Sequence, residues 1–380
     1  MIRCQKTRIY PNPEQAQLLD KSFDVARFAW NTALQESLGT KVYSGYTLRN
    51  RFTKLVKPNR DWLKEVSKEA YANSILDLGK AWKAVFDSAR GTRKGKRVGQ
   101  PNFKTKKNAK QSFRVESYKK NNLTWIGKEL KAPKFTGKRG YLPKIKTAEA
   151  PRWYNAEVKA ITFLKQGDKY FVSVRFDVPK PKNTRPHIPT EGMVGIDWGV
   201  KTLLTLSDGT VFNAQDYSKI DRQIRRAQRR VSRKELGSKN REKAKVKLLR
   251  KTNHKTNMIE DTLHKATTFI VQNYNLIKIE NLRVSNMIQK SDHSLAHKIT
   301  EASFYKFKTM LIYKAEQLQK EYGRNVAVEL VNPVNTSQIC SACGTKAEVK
   351  LTLDDRIFDC KHCGISEDRD LNAAINILHR

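Results

Sequence analysis

Two cysteine pairs near the C-terminus place the strongest constraint on how this chain can fold. They read Cys340-x-x-Cys343 and Cys360-x-x-Cys363, with sixteen residues between the pairs. This spacing is typical of a zinc ribbon, in which two tight turns each supply two thiolates to one tetrahedral ion. Because cysteine fills all four positions, we expect a structural zinc with no open coordination site for a reacting water.

Two glycines and a fifth cysteine bear on the same pattern. Gly344 and Gly364 directly follow the second cysteine of each pair, where a tight turn commonly needs a positive φ. Cys4 lies far from both pairs, and we expect it to be a buried thiol without a chemical role. We expect no disulfide framework, because paired cysteines at this spacing in a reducing compartment are typical of metal binding.

The charge balance of the chain points to a polyanionic partner. The 380 residues include 75 Lys and Arg against 37 Asp and Glu, a formal net charge of +38. Self-repulsion of this size predicts neutralisation by nucleic acid. A membrane surface would instead call for a broad apolar helix face or a lipidation motif, and neither is evident. With no signal peptide and no long apolar stretch, we expect a cytoplasmic protein.

The periodicity of apolar residues divides the chain into regions of different kinds. Residues 11–90 are mostly helical, with two long amphipathic helices, and a basic loop extends this helical domain to residue 115. Residues 116–190 hold a β-hairpin and predict a small β-barrel or sheet, to which residues 1–10 contribute the first strand. Residues 191–380 alternate strands and helices. The sequence therefore predicts a multidomain α/β protein in which a helical domain is inserted into a β-barrel.

Two helix starts carry clear capping signals. Asn12 followed by Pro13 and Glu14 supplies an N-cap, a proline in the first turn and a favourable acid. Gly237 followed by Ser238 predicts the end of one basic helix and the N-cap of the next.

Two segments carry most of the excess positive charge. Residues 90–114 hold ten Lys or Arg and no acid, and residues 219–255 hold sixteen Lys or Arg against three acids. A solvated loop is the plain alternative for the first segment, but its one-sided charge favours a loop that follows phosphates, with Phe103 or Phe113 stacking on a base. The predicted nucleic-acid contacts are Arg93, Lys94, Lys96, Arg97, Phe103, Lys104, Lys106, Lys107, Arg225, Arg226, Arg229 and Arg230.

Three acids lie far apart in the sequence but on elements that could meet. Asp197 lies in an apolar strand between Gly195 and Gly199, two glycines that could let a ligand approach the backbone. Glu280 ends another apolar strand, and Asp370 begins the C-terminal helix. Phosphodiester cleavage by two magnesium ions needs carboxylates from separate elements, and this order fits an RNase H-like nuclease core.

Two of these acids also have a plain structural alternative. Glu280 could be a surface acid at a strand end. Asp370 could simply cap its helix, a role that Asp368 and Glu367 could equally take.

Motifs along nearly the whole chain resemble the TnpB family of insertion-sequence proteins, which are related to type V CRISPR effectors. The motifs are Gly99-Gln100-Pro101-Asn102-Phe103-Lys104, Gly195-Ile196-Asp197-Trp198-Gly199, Ile279-Glu280-Asn281-Leu282, Thr336-Ser337-Gln338 ahead of the first cysteine pair, and Asp368-Arg369-Asp370-Leu371-Asn372-Ala373-Ala374 after the second. The chain ends at Arg380 without the polar tail of many relatives, and we expect this to leave catalysis untouched.

This resemblance implies an RNA-guided endonuclease that cuts double-stranded DNA beside a short transposon-associated motif, by two-magnesium hydrolysis. The guide RNA would derive from the transposon end, and one protomer would work with it in a prokaryotic cytoplasm, on the nucleoid when bound to DNA. Asp197, Glu280 and Asp370 would be the catalytic magnesium ligands, with Asp370 preferred over Asp368 because it holds the Asp-x-Asn position.

The same resemblance assigns roles to the regions. Residues 11–115 would form a recognition domain, residues 1–10 and 116–190 a wedge domain, and residues 191–380 a RuvC-like nuclease with a zinc ribbon at about 335–366. Two alternatives stay open: a guided repressor that binds without cutting, and a transposase that uses the same acids to join DNA ends.

Overall fold

Met1–Lys180 and Pro181–Arg380 form two separate units in the computed structural model of this protein. The structure describes residues 1–93, 95–106, 110–117, 123–131, 144–179, 192–200, 202–349, 351 and 355–380. Within these ranges no helix combines the length and the apolar character needed to cross a bilayer.

A seven-stranded sheet forms one layer of the first unit. Its strands are β1 Ile2–Tyr10, β2 Lys110–Glu116, β3 Thr124–Ile126, β4 Glu129–Lys131, β5 Ile145–Thr147, β6 Glu157–Gln166 and β7 Lys169–Asp177. They follow the order β2-β6-β7-β1-β5-β4-β3, and neighbouring strands are antiparallel. The N-terminal strand therefore lies in the middle of a sheet built from later residues. The sheet has β2 and β3 at its edges, so a closed barrel stays a prediction.

Between β1 and β2 the described residues form the helices α1 Pro13–Thr40, α2 Gly45–Arg51 and α3 Lys68–Ala89. Helices α1 and α3 pack against the sheet, and α2 packs against α3. The predicted cap at Asn12 is confirmed, because its side chain accepts from the Gln15 amide at 2.8 Å while the Gln15 side chain accepts from the Asn12 amide at 2.9 Å. Side chains of the helices and of the sheet share one hydrophobic core.

Two sequence-based interpretations in this unit are wrong. Phe113 is only 4% exposed and packs edge-on against Phe23 of α1, so it is a core residue and cannot stack on a base. Cys4 is exposed, because in β1 the side chains of Gln5, Thr7 and Ile9 alternate into the core and leave Cys4 on the opposite face.

The second unit is built on a mixed five-stranded sheet, β10-β9-β8-β11-β12. Strand β8 runs antiparallel to β9 and parallel to β11, and β11 runs parallel to β12. The strands are β8 Met193–Trp198, β9 Thr202–Leu206, β10 Val211–Asn213, β11 Leu276–Glu280 and β12 Ala327–Val331. A small hairpin of β13 Ile357–Asp359 and β14 Ser366–Asp368 lies near the second cysteine pair.

The described residues of this unit also form the helices α4 Ser218–Ser232, α5 Lys239–Asn273, α6 Val284–Lys290, α7 His293–Ala302, α8 Phe304–Tyr322 and α9 Arg369–His379. The predicted break between the two basic helices is confirmed. Gly237 has a φ of 84°, and the Ser238 hydroxyl accepts from the Arg241 amide at 3.1 Å to cap α5.

The glycines around Asp197 serve packing, which corrects their interpretation as room for a ligand. A Cβ atom on Gly195 would lie 2.1 Å from the backbone oxygen of Ala374, so this glycine lets α9 lie directly on β8. A Cβ atom on Gly199 would lie 2.4 Å from the backbone oxygen of Thr202, inside the tight turn to β9. The close fit of α9 on β8 is what brings the start of α9 toward Asp197.

Candidate functional site

Strands β8 and β11 place two acids side by side. Ile196 of β8 pairs with Ile279 of β11 in parallel register. The next residues are Asp197 and Glu280, and residues at the same register of parallel neighbours lie on the same face of a sheet. The sheet itself therefore brings together two of the three predicted acids.

Helix α9 supplies the third acid. Asp368 is the N-cap, since its carboxylate accepts from the amides of Asp370 at 2.8 Å and Leu371 at 3.0 Å. The Asp370 carboxylate is therefore not used for capping, and it lies 3.7 Å from a guanidinium nitrogen of Arg356 and of Arg369. The sequence offered Asp368 and Asp370 as the third acid. Because Asp368 caps the helix, Asp370 is the one whose carboxylate could bind a metal ion.

The electrostatics of Asp197 connect all three acids. Burial raises the pKa of Asp197 well above its ordinary value, the negative charges of Glu280 and Asp370 raise it further, and the positive charge of Arg369 opposes them. Burial also raises the pKa of Glu280, against a hydrogen bond from Thr336 and the charge of Arg380. A partly buried carboxylate whose pKa is raised by two neighbouring acids is a favourable ligand for a divalent cation.

The donor set fits magnesium, a hard ion that prefers carboxylate oxygen. The three carboxylates are not among the groups of described residues whose ligand atoms all lie within 4.8 Å of one another. Two ions about 4 Å apart do not require such convergence, because each carboxylate can serve one ion or bridge both.

The four cysteines do converge. Their Sγ atoms all lie within 4.8 Å of one another, and the Cys340–Cys363 and Cys343–Cys360 Sγ distances are each 3.6 Å. A tetrahedral zinc with sulfur at about 2.3 Å requires sulfur–sulfur distances of about 3.8 Å, whereas a disulfide requires about 2.0 Å. The geometry therefore fits zinc and excludes a disulfide in this arrangement.

The turns that hold these thiols match the zinc prediction. Gly344 and Gly364 have φ values of 74° and 78°, as their positions predict. Hydrogen bonds from the Thr345 side chain and backbone lower the pKa of the Cys343 thiol to about 5, which favours the thiolate that binds metal.

A second group of metal-ligating side chains contains a lysine ammonium in the place where a metal ion would bind. Asp221, His297 and Glu301 bring their ligand atoms within 4.8 Å. The Lys255 ammonium contacts both carboxylates, at 2.5 Å for Asp221, and so offsets part of their negative charge. We interpret this group as an ion-pair network that joins α4, α5 and α7.

The predicted nucleic-acid contacts of the first basic segment lie around a loop attached to α1. The Trp30 indole donates to the Asn102 carbonyl at 3.0 Å, and Asn31 exchanges two hydrogen bonds with the Lys104 backbone at 2.8 and 2.9 Å. The Phe103 ring between these anchored neighbours is 52% exposed. Arg93, Lys96, Arg97, Lys104 and Lys106 are exposed, while Lys94 and Lys107 lie outside the described residues.

The second basic segment forms a groove between α4 and α5. Arg225, Arg226, Arg229 and Arg230 are exposed on α4, as predicted for contacts. The groove is lined on one side by cations of α4 and on the other by cations of α5 that were not singled out from the sequence. Its charged lining consists of Arg226, Arg230, Arg233, Lys234, Lys243, Lys247 and Lys251.

The sequence interpretation gave no role to Thr336, Asn372 or Asn376. The Thr336 hydroxyl donates to a Glu280 carboxylate oxygen at 2.5 Å and is buried. Asn372 and Asn376 lie on the buried side of α9 and bind the backbone near the first cysteine pair. Asparagine is unfavourable in the interior of a helix. Two asparagines one turn apart in a short apolar helix are therefore the sequence signal that could have predicted this contact.

Models of known protein families match several parts of the chain. A family model described as "Probable transposase" matches residues 172–291, and one described as "Cas12f1-like, TNB domain" matches residues 304–377. A "Helix-turn-helix domain" model matches residues 1–38, although this segment folds as strand β1 and the single long helix α1.

Two curated relatives match most of the chain. The "Putative RNA-guided DNA endonuclease" of Streptomyces pristinaespiralis is 31% identical over 393 residues, covering 99% of this chain and 88% of the relative. The similarly named InsQ of Escherichia coli (strain K12) is 31% identical over 333 residues, covering 83% and 75%. The solved structure of a Cas12f1-sgRNA-target DNA complex has a similar fold, with a TM-score of 0.51, 16% identity and coverage of 99% and 98%.

Proposed function

The chain belongs to the TnpB family of RNA-guided DNA endonucleases, and we propose that it uses a guide RNA from the transposon end to cut double-stranded DNA beside a short transposon-associated motif. This proposal is supported by the pairing of Ile196 with Ile279, which are directly followed by Asp197 and Glu280, and by the packing of α9 on β8 at Gly195. Asp370 lies in the first turn of α9. Base pairing with the guide would read the target sequence, while the protein would read backbone shape and the flanking motif.

In this proposal Asp197, Glu280 and Asp370 hold two magnesium ions, which when bound supply an activated water and stabilise the leaving oxygen. Asp197 contributes from the centre of the sheet, where the backbone of β8 is fixed by neighbours on both sides. Thr336 holds one Glu280 oxygen and so limits how the carboxylate can turn. The mixed order of the sheet, with three antiparallel strands continuing into parallel ones, supports the RNase H-like (RuvC-like) assignment of this unit.

We assign the remaining parts by the same proposal. Residues 11–115 serve as the recognition domain and residues 1–10 with 116–190 as the wedge domain, which together hold the guide–target duplex and read the flanking motif. Residues 191–380 serve as the nuclease, with a structural zinc ribbon at about 335–366. One protomer works with one guide RNA.

The test of this function begins with the RNA that copurifies with the protein. We expect sequencing to recover one transposon-end RNA with a variable guide segment. Protein loaded with a chosen guide should cut matching duplex DNA only when magnesium and one short flanking motif are present, as assayed on a library with randomised flanks. Stable binding without cutting would instead support a repressor.

A transposase is the second candidate, because the family model over residues 172–291 is described as a probable transposase. RNase H-like acids can serve strand transfer as well as hydrolysis. Copurified protein without RNA, together with joined DNA ends as products, would favour that function over the guided nuclease.

The groove between α4 and α5 is proposed to bind a nucleic-acid backbone. Replacing Arg226 and Arg230 together with alanine should weaken guide RNA binding and reduce the slope of log affinity against log salt by about 1.4 to 1.8, since each lost phosphate contact removes about 0.7 to 0.9. Fluorescence anisotropy over a potassium chloride series measures both quantities.

The matched control removes the same charge elsewhere in the unit. Lys265 and Lys320 are exposed, and each is paired with an acid of its own helix. Their double alanine variant should keep the slope of the unmodified protein. Equal slopes for the two double variants would show that the groove does not contact the backbone.

A further inference from the structure

We propose that Asn372, Asn376 and Thr336 are positioning residues that couple the first cysteine turn to the acids Asp370 and Glu280. In this view the zinc ribbon sets the spacing of the catalytic carboxylates. The inference rests on the proposed function, in which these acids hold magnesium. It is argued from a continuous set of hydrogen bonds between residues 336 and 341 on one side and helix α9 and strand β11 on the other.

The first contact joins α9 to the residues on both sides of Cys340. The Asn372 amide nitrogen donates to the Ile339 carbonyl at 2.8 Å, and its amide oxygen accepts from the Ser341 backbone nitrogen at 2.7 Å. Asn372 is fully buried, at 0% exposure. A buried amide is stable only when its donor and acceptor are both satisfied, and here the backbone of the cysteine turn satisfies both.

The second contact lies one helical turn further along α9. The Asn376 amide donates to the Ile339 carbonyl at 2.6 Å and to the Thr336 carbonyl at 2.9 Å. Residues four apart lie on the same helix face, so Asn372 and Asn376 hold one segment of the ribbon with one face of α9. The helix therefore cannot rotate or slide along the ribbon without breaking these bonds.

The third contact extends the coupling to the other acid. Thr336, whose carbonyl accepts from Asn376, donates its hydroxyl to Glu280 at 2.5 Å. Asp370 lies two residues before Asn372, in the first turn of the same helix. One short segment beside Cys340 thus contacts the carboxylate of Glu280 directly and the helix of Asp370 through two asparagines.

A structural zinc at the four cysteines would give this segment a defined backbone position. Cys340 is buried, and its amide and carbonyl already bond within the turn, to the Thr345 carbonyl at 2.9 Å and to the Gly344 amide at 3.0 Å. Residues that hydrogen-bond to metal ligands and orient them typically contribute a factor of 10 to 100 in metal affinity. We expect the three positioning residues to act on the magnesium site in this range.

The test uses Asn372→Asp and Thr336→Val in the complete chain loaded with guide RNA. Asn372→Asp removes the donor to Ile339, and Thr336→Val removes the donor to Glu280 with almost no change in shape. For each variant we expect the magnesium concentration for half-maximal cleavage, and the concentration of Mn²⁺ for half-maximal binding measured by electron paramagnetic resonance, to rise about 10- to 100-fold. Zinc content and binding of guided target should stay unchanged.

The control is Asn257→Asp, which makes the same chemical change at an exposed position of α5. Unaltered Mn²⁺ binding in both Asn372→Asp and Thr336→Val would overturn the proposal. If one of them fails to fold, the other decides the result. Zinc loss with normal Mn²⁺ binding would also overturn it, because the residues would then only support the ribbon.

Mn²⁺ binding separates this inference from the proposed nuclease function. If the unmodified protein binds Mn²⁺ at the three acids without cutting DNA, the proposed nuclease function is wrong. A weakened Mn²⁺ affinity in the two variants would still support the coupling.

Hydrogen exchange at α9 tests the coupling independently. Removal of zinc by a chelator should speed amide exchange in the first turn of α9, and unchanged exchange would contradict the coupling.

Discussion

Replacing Asp197 with alanine is expected to abolish guided cleavage of double-stranded DNA while leaving target binding intact. The negative charges of Glu280 and Asp370 both act on Asp197, and removing its carboxylate would remove one of the three proposed magnesium ligands. Loss of several kcal/mol of transition-state stabilisation corresponds to a rate decrease of about a thousandfold or more, at about 1.4 kcal/mol per factor of ten. Single-turnover cleavage of a labelled target, with binding measured in parallel, provides the test.

A thermal measurement adds a second reading of Asp197. Since burial and like charges raise its pKa, its ionised form opposes folding near neutral pH, and Asp197→Asn should be at least as stable as the unmodified protein in a chelating buffer. Magnesium should raise the Tm of the unmodified protein but not that of the variant.

The control for Asp197 is Asp261→Ala, which removes an exposed acid of α5 that pairs with Lys265. This variant should cut at the normal rate. Cleavage by Asp197→Ala at a rate within a few-fold of the unmodified protein, in preparations free of other nucleases, would refute the assignment of the catalytic acids.

Replacing Cys360 with alanine is expected to eliminate bound zinc and, with it, cleavage. Four-thiolate sites bind zinc with an apparent free energy of about 10–16 kcal/mol, most of which is available to folding of the metal-bound segment. With one of four ligands gone, the turns around Cys340 and Cys360 should lose their defined structure. Zinc per chain, measured by atomic emission, should fall from one to nearly none.

Cys4→Ala is the matched control for this loss. Cys4 is exposed in β1 of the first unit and takes no part in the four-cysteine group. This variant should keep one zinc and full activity. A Cys360→Ala protein that retains stoichiometric zinc and cuts DNA would show that the cysteine group is not the structural metal site.

Local features could be predicted from the sequence because they depend only on residues close together in the chain. The N-caps at Asn12 and Ser238 and the positive φ of Gly344 and Gly364 all follow from backbone chemistry within a few positions. The convergence of the four cysteines was equally predictable, since two C-x-x-C turns each carry half a tetrahedral site.

The burial of a side chain and the residues that it packs against were harder to predict, because they depend on residues distant in the chain. Phe113 looked like part of a basic loop, and only its position in β2 against α1 makes it a core residue. Gly195 looked like room for a ligand, and only the approach of Ala374 shows that it accommodates a helix.

The sequence by itself determined the four cysteines of the proposed zinc site, the capped helices, the excess of positive charge and the identity of three candidate acids. The tertiary structure alone decided that Asp368, and not Asp370, caps α9. It also decided that the charges of Glu280 and Asp370 raise the pKa of Asp197, and that Thr336 donates a hydrogen bond to Glu280. The physical reason is the sequence separation of the interacting residues. Helix caps and cysteine turns form among residues a few positions apart. A carboxylate site forms only where the sheet register and a packed helix bring separate parts of the chain together.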